Sequence, residues 1–529
     1  MRKLLDISLI FILVCVIWAC VPKEDEVNKP NVLFILADDL GYGDLQVYNS
    51  KSKIPTPNLD QLAKDGIQFT NAHSPSAVCT PTRYGLLTGR YAWRTRLKQK
   101  VLWPYAQPLI DDDRKTLADL FKEQGYYTAM FGKWHLGWQW AVEDSLTYPW
   151  VRKIDGNWGG KGIDLSKQIK SGPNGAGFDY AFGVDYPNSP PYAYIENGWI
   201  VGGQPQGKKT KDMFGSGGLA NVGWKQEDVL PTIIDKTKHY LDTISQPFFT
   251  YLSLTSPHTP IRPSQKFEGK AKAGDYGDFV YETDIYVGEI IELLENTLII
   301  FTSDNGSPAK AGDEAKRPKE WSQFGAAERM FGHYSNAPQK GYKAGLYEGG
   351  HRVPFIAYWK GKIKAGQTSN QLFGLQDMMA TFHSYFNEEM AKNVGVDSYD
   401  ISNYLFKNNF NQPARDHIIS HGGLGTFAIT KDNWKFIADS SSGGTSYKYR
   451  EMLGTYVSKY PGQLYDLSND PHENNDLFAT HPEKVKELRS LLINYIEKGK
   501  STPGENQDND AYPKEWKQYN YLKEGFDEK

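Results

Sequence analysis

The sequence predicts an α/β fold. A large domain with a mostly parallel, mixed sheet flanked by helices is followed by a smaller C-terminal α+β domain with a short antiparallel sheet. Three observations predict it. Uninterrupted apolar runs of strand length recur, among them 31–37 (NVLFILA), 248–254 (FFTYLSL) and 297–302 (TLIIFT). A run apolar on both faces suits a buried parallel strand. Helical patterns separate these runs, as βα alternation requires. Beyond about residue 400 the character changes to short strand-like runs at 417–420, 426–430 and 434–438, then an amphipathic helix at 482–498.

The chain has 529 residues, enough for two unequal domains. Its net charge of -3 offers no electrostatic case for nucleic acid. Residues 1–20 read as an export signal. Arg2 and Lys3 precede an apolar run, 7–19, that is too short to span a bilayer. The run ends Val16-Ile17-Trp18-Ala19-Cys20, which resembles a bacterial lipobox. That resemblance implies a lipidated Cys20 and a mature protein anchored to a bacterial membrane, on its periplasmic or cell-surface side. A plain signal peptide or an uncleaved anchor is the alternative. Residues 21–30 are charged and Pro-containing, a tether. The cysteines are Cys15, Cys20 and Cys79. With Cys15 removed in the export segment and Cys20 lipidated, Cys79 is the only free cysteine left in the mature body, which points to chemistry rather than a disulfide.

Taken in order, the elements carry polar residues where strands end. Strand 31–37 is followed by Asp38-Asp39, two carboxylates that are stable side by side mainly near a cation. A short helix spans 57–66, and 69–72 leads toward Cys79. Pro81 fits the first turn of a helix, so Cys79 sits at a helix N-terminus, where anions and nucleophiles are favoured. Arg83 follows one turn later and can face Cys79. Helix 116–125 precedes strand 126–131, which ends at Gly132-Lys133-Trp134-His135. Two donors two residues apart between glycines can share one crevice. Residues 138–224 are Gly/Pro-rich and aromatic with little periodicity. They read as a substrate rim in which Tyr186, Tyr192, Tyr194, Trp199 and Trp224 can stack on sugars, though each taken singly is more often a packing residue. Helix 226–243 leads to strand 248–254 and to Pro257-His258-Thr259-Pro260, a stiff turn suited to a general acid. Helix 275–295 leads to strand 297–302 and then to Ser303-Asp304-Asn305-Gly306. Residues 310–339 read as a second rim. Lys343 and Glu348-Gly349-Gly350-His351-Arg352 precede strand 355–359, and helix 375–385 follows. His351 and Arg352 divide evenly between substrate contact and structure.

Every anchor follows a strand or opens a helix, so in a parallel sheet they would converge on one edge. Asp38, Asp39, Asp304 and Asn305 offer hard oxygens for Ca²⁺ or Mg²⁺, and an all-protein oxygen cage favours Ca²⁺.

Cys79-x-Pro81-x-Arg83 with Thr88-Gly89-Arg90, together with these anchors, resembles the formylglycine-dependent (type I) sulfatases of the alkaline phosphatase superfamily. It is closest in type to arylsulfatase-like, bacterial polysaccharide-type sulfatases, and the resemblance spans about 31–477. It implies a sulfatase with an alkaline-phosphatase-like large domain at 31–400 and a C-terminal subdomain and tail at 401–529. It implies oxidation of Cys79 to formylglycine by a sulfatase-maturing enzyme, and a sulfated glycan substrate. By resemblance, the hydrated aldehyde attacks sulfur. His135 helps expel sulfate afterwards, Arg83 orients the nucleophile, Lys133 and Lys343 clamp the sulfate, and His258 protonates the leaving oxygen. One divalent cation is held by Asp38, Asp39, Asp304, Asn305 and the group at Cys79. A phosphoester or phosphonate hydrolase of the same superfamily, or a non-catalytic sulfoglycan-binding lipoprotein, are the alternatives.

Overall fold

The computed structural model describes residues 29–142, 160, 162–205, 207–208, 218–245, 247–313, 317–444, 457–510 and 516–526. The export segment with Cys20, nearly all of the expected tether and part of the first expected rim lie outside the described residues.

In chain order the strands are β1 (Asn31–Ala37), β2 (Ile67–His73), β3 (Tyr127–Lys133), β4 (Tyr180–Val184), β5 (Tyr194–Glu196) and β6 (Trp199–Val201). A small pair follows, β7 (Gly207–Lys208) and β8 (Leu219–Ala220), then β9 (Phe248–Ser253), β10 (Thr297–Ser303), β11 (Arg352–Tyr358), β12 (Gln367–Ser369) and β13 (Phe373–Gly374). The last four are β14 (His417–His421), β15 (Phe427–Lys431), β16 (Trp434–Ile437) and β17 (Gln463–Asp466). The large sheet runs β12-β2-β11-β10-β1-β9-β3-β4-β5-β6, with β13 beside β2. Its centre, β10-β1-β9-β3-β4, is parallel throughout, and antiparallel pairs begin only at β10/β11 and β4/β5.

The apolar runs are central because both faces of those strands are covered. In β1, Val32, Phe34 and Leu36 pack with Leu120, Phe121, Met379 and Phe382 of helices Leu117–Glu123 and Met378–Tyr385. Leu33 and Ile35 pack with Leu62, Ile233 and Val287 of helices Pro57–Asp65, Val229–Thr243 and Gly274–Ile291. Each such side chain is stabilised by roughly 1.5–3 kcal/mol through burial. The helix starts are encoded locally. Thr116 Oγ1 accepts from Asp119 N at 3.1 Å while Thr116 N donates to Asp119 Oδ2 at 2.9 Å, a reciprocal cap.

Two strands escape a search for apolar runs. β2 was expected only as a lead-in to Cys79, yet it pairs along β11. Its sequence, Ile-Gln-Phe-Thr, alternates apolar and polar, a period-two signal. β4 lies within the segment expected to be loop and extends the parallel sheet on β3.

The C-terminal sheet, β14-β15-β16-β17, is antiparallel. Helix Pro482–Glu497 lays Val485, Leu488, Leu492 and Ile496 on Phe427, Ile429, Phe436 and Leu464. The core under the large sheet continues past the expected division at 400/401, because Ile401, Tyr404 and Leu405 pack into it.

A buried ionic network joins the two sheets. Lys435 Nζ on β16 lies 2.8 Å from both Glu348 Oε1 and Glu473 Oε1, and 3.2 Å from His351 Nε2. Arg352 Nη1 reaches Glu348 Oε2 at 3.3 Å and Arg352 Nε donates to Thr70 O. His351 and Arg352 are therefore engaged in structure. His73, Glu348 and His351 resemble a metal site in spacing, but the Lys435 ammonium already supplies the cation. Lys435→Met leaves buried Glu473 without its cation and buried Glu348 with Arg352 as its remaining cation. We expect it to destabilise the fold by about 3–5 kcal/mol, read from denaturant unfolding, with partial recovery when Glu473→Gln is added.

Candidate active site

The register of the central strands builds the site. Ala37 on β1 is level with Ser303 on β10, Leu36 with Ser253 on β9, and Gly132 on β3 with Ser253. Asp38, Asp304 and Lys133 therefore leave the sheet at one level on its carboxyl edge. Gly132 is required there. With φ at 102°, a Cβ on it would lie 1.9 Å from Ser253 O. Asp39 and His135 also hold left-handed φ values of 68° and 55°, backbone strain of the kind that collects at functional sites.

Helix Cys79–Thr88 begins at Cys79 itself, with Val78 as N-cap and no side chain capping it. The first-turn N–H groups thus face the same edge. The Cys79 thiol lies 3.5 Å from Asp38 Oδ1 and 3.4 Å from Lys343 Nζ. Burial, and Asp304 after it, push this thiol up to about 12 against the pull of Lys133 and Lys343.

Lys133 Nζ pairs with Asp38 Oδ2 at 2.7 Å and Lys343 Nζ with Asp39 Oδ1 at 2.5 Å. Arg83 reaches past Cys79. Its Nη2 pairs with Asp304 Oδ2 at 2.7 Å and lies 3.6 Å from Asp38 Oδ1, while its Nη1 donates to Ser253 Oγ and to Lys133 O. Burial pushes the Asp39 carboxyl up, but Lys343 and His258 outweigh it and hold it below the ordinary carboxylate range. Asp304 goes the other way, up to about 6, through burial and the Asp38 charge.

His258 Nε2 lies 3.7 Å from Asp39 Oδ2, and its Nδ1 meets Thr259 O at 2.5 Å. A carbonyl only accepts, so Nδ1 carries its proton there and Nε2 is the atom that titrates toward the acids. Burial, with Lys343 and Lys133, holds this imidazole well below its ordinary pKa. His135 is likewise lowered by burial, then by Lys133 and Arg83. Its Nε2 meets Leu102 O at 3.1 Å, and its ring stacks on Tyr186 at 4.2 Å.

The donor set fits a hard divalent cation. Asp38, Asp39, Cys79 and His258 present ligand atoms within 4.8 Å of one another. Asn305 Nδ2 donates to Asp39 Oδ1 at 2.7 Å, while its buried Oδ1 has no hydrogen-bond partner among the described residues, and turning the amide over exchanges the two. Asp304 stands beside this group. Its Oδ1 accepts from Asp39 N at 3.1 Å and its Oδ2 is held by Arg83.

The sequence-derived site residues thus gather in one cluster at the sheet edge. Ser253, which anchors Arg83, and Tyr186, which backs His135, were not anticipated in these roles. Ser253 is hidden inside an apolar strand. Of the two readings open for Tyr186 and Tyr192, sugar stacking or packing, both residues take the second and are buried. Of the five aromatic residues proposed for the rim, Trp199 keeps the largest open face, being 50% exposed.

Three carboxylates, two lysines, an arginine, a nucleophile position at a helix start and an imidazole beside the acids define a class: metal-assisted hydrolases of anionic esters built on a parallel-sheet edge. The comparisons narrow it. The Sulfatase family model matches residues 30–388. An N-acetylgalactosamine-6-O-sulfatase of Bacteroides thetaiotaomicron is 33% identical over 89% of this chain and 94% of its own. Human arylsulfatase A is 30% identical over 88% of this chain and 87% of its own. A solved B. thetaiotaomicron 6S-sulfatase, from work on glycosaminoglycan metabolism, superposes with a TM-score of 0.76 at 32% identity, covering 89% of this chain and all of the other. The chain belongs to the sulfatase family and is a sulfuric ester hydrolase. That family generally uses a formylglycine and a divalent cation.

Proposed function

We propose that the enzyme removes the 6-O-sulfate of an N-acetylhexosamine, N-acetylgalactosamine first, in a glycosaminoglycan-type carbohydrate. The observation that carries this reading is the breadth of the match to a 6-O-sulfatase, which spans nine-tenths of both chains rather than the motif alone.

The roles follow from charge and reach. Asp38, Asp39, Asp304 and Asn305, with the group at position 79, hold one divalent cation. Ca²⁺ suits the oxygen-rich set, with Mg²⁺ as the alternative. When bound, the cation polarises the ester sulfate. Without it, Asp38, Asp39 and Asp304 balance Lys133, Lys343 and Arg83. With it, the pocket is net positive and takes up an anionic ester. Lys133 and Lys343 then bind sulfate oxygens, while Arg83 holds Asp304 and Asp38 in place. Cys79, converted to formylglycine by a maturation enzyme, supplies the nucleophile at the helix start. His135 takes up a proton at position 79 as sulfate departs, and His258 Nε2, protonated when the anionic ester is bound beside it, gives that proton to the leaving oxygen. Export and lipidation at Cys20 would put the enzyme outside the cytoplasm, where such glycans are met.

Ion chromatography of sulfate released from a panel of position-defined sulfated saccharides tests the substrate. Release from 4-O- or 2-O-sulfated sugars but not 6-O-sulfated ones overturns it. The acid role has its own check. His258→Ala should lose roughly 10²–10⁴-fold in kcat on a sugar sulfate and far less on an aryl sulfate with an acidic phenol, which departs without a proton. Equal losses on both would remove His258 from that role.

A further inference from the structure

Asp39 presents its carboxylate from a left-handed backbone, φ 68°, a conformation that costs free energy for a residue with a Cβ. Side chains hold the peptide groups on both sides of it. Asp39 N donates to Asp304 Oδ1 and Leu40 N to Ser303 Oγ, each at 3.1 Å. The hydroxyl of Tyr276, on helix Gly274–Ile291, shares its proton between Asp39 O at 3.2 Å and Asp44 Oδ2 at 2.5 Å. Burial, then the Asp44 charge, hold this phenol well above its ordinary pKa, so it stays a donor. Asp44 is itself buried and accepts from Gly41 N and from His333 Nε2, each at 2.7 Å. Lys53 N donates to His333 Nδ1 at 3.3 Å, so the imidazole proton lies on Nε2. Among the described residues no lysine or arginine pairs with Asp44, and these neutral donors carry its charge.

His333 lies in 310–339, the segment expected as a second substrate rim, yet it is fully buried. The same segment closes on the loop that follows Asp39. Gly43 N donates to Ser335 O at 2.7 Å, and a Cβ on Gly41 would lie 2.1 Å from Ser335 O, so only glycine fits at 41. Three stretches distant in sequence, 39–44, 276 and 333–335, therefore meet behind one proposed metal ligand.

We propose that Tyr276, Asp44 and His333 are positioning residues for the cation site: through the carbonyl of Asp39 they keep its carboxylate turned as a divalent ion needs it. The inference rests on the cation reading above. A ligand already held by its neighbours has little ordering left to do on binding, and loss of such a support typically costs about 10–100-fold in metal affinity.

Ca²⁺ alone, titrated calorimetrically into the metal-free enzyme, reads the effect without substrate. Tyr276→Phe and His333→Leu should each raise the Kd for Ca²⁺ at least about tenfold. His333→Gln, whose amide can still donate to Asp44, should recover most of that loss. Saturating Ca²⁺ should return the kcat of Tyr276→Phe close to wild type, because the hydroxyl acts through the ion's ligand and not on the ester. A purely structural role would lower the Tm of the metal-free variants and leave the Kd where it was. Tyr276→Phe keeps the ring and removes one oxygen, so it serves as the test even where His333→Leu does not fold. An unchanged Kd in folded Tyr276→Phe overturns the proposal, and a rise as large in His333→Gln as in His333→Leu removes His333 from it. A wild type that takes up neither Ca²⁺ nor Mg²⁺ overturns the cation reading and the positioning role with it, a result distinct from a wild type that binds the ion with a Kd the variants do not change.

Discussion

Cys79→Ala should abolish sulfate release, to below about 10⁻³ of wild type, while thermal unfolding stays near the wild-type value. Nucleophilic catalysis cannot survive loss of the only reactive atom at the helix start. Little else is lost. Alanine keeps the helical backbone, and among the described residues the thiol's hydrogen-bond contacts are long, to Asp38 at 3.5 Å and Lys343 at 3.4 Å. Lys133, Lys343 and Arg83 remain to neutralise the acids. The stability change should be about 1 kcal/mol, the scale of a one-atom core truncation. Mass spectrometry of the wild-type peptide around residue 79 supplies the complement: loss of sulfur and gain of an aldehyde in enzyme matured with its partner. Retained turnover in Cys79→Ala would remove residue 79 from the mechanism.

The parts of this molecule that were legible in its sequence are those where one requirement dominates. β1, β9 and β10 are covered on both faces, so every residue in them but the half-buried Asn31 is buried, and each reads as a mostly apolar run. Asp38, Asp304 and His258 follow such runs directly, which is why one sheet edge could be expected to gather them. β2 and β4 were harder for opposite reasons. β2 has partly exposed positions that break the run, while β4 is a five-residue strand inside a long stretch rich in glycine and proline. Interactions distant in sequence were not legible. Lys435, 87 residues beyond Glu348, gives no local sign that it neutralises a cluster under the other sheet. Nor does Arg83 announce that its guanidinium passes Cys79 to reach Asp304, 221 residues away. The aromatic residues show the same limit. Tyr186 and Trp199 look alike as possible sugar platforms, yet one is buried against His135 and the other half open.

Removing divalent ions should stop turnover almost as completely as Cys79→Ala, yet leave the protein folded. The reason is how the acids are paired. Asp38 and Asp39 each keep a lysine ammonium within 2.7 Å, and Asp304 keeps Arg83. A chelated site can therefore settle into three ion pairs instead of leaving bare buried charge, which would cost several kcal/mol per group. Catalysis has no such fallback, because those same lysines must face the sulfate and cannot also neutralise the acids. Stability should fall only by the linkage term, about 2.7 kcal/mol for an ion present at a hundredfold its Kd, visible as a lower Tm in chelator. Ca²⁺ should restore both Tm and activity. Mg²⁺ restoring activity better than Ca²⁺ would reassign the ion but keep the site. Asp39→Asn should lower ion affinity and turnover together, since it removes the charge that touches Lys343, Asn305 and His258. Full activity in exhaustively chelated enzyme, with no divalent metal found by elemental analysis, would mean that the lysines alone carry the sulfate charge and that the unpartnered oxygen of Asn305 serves some other purpose.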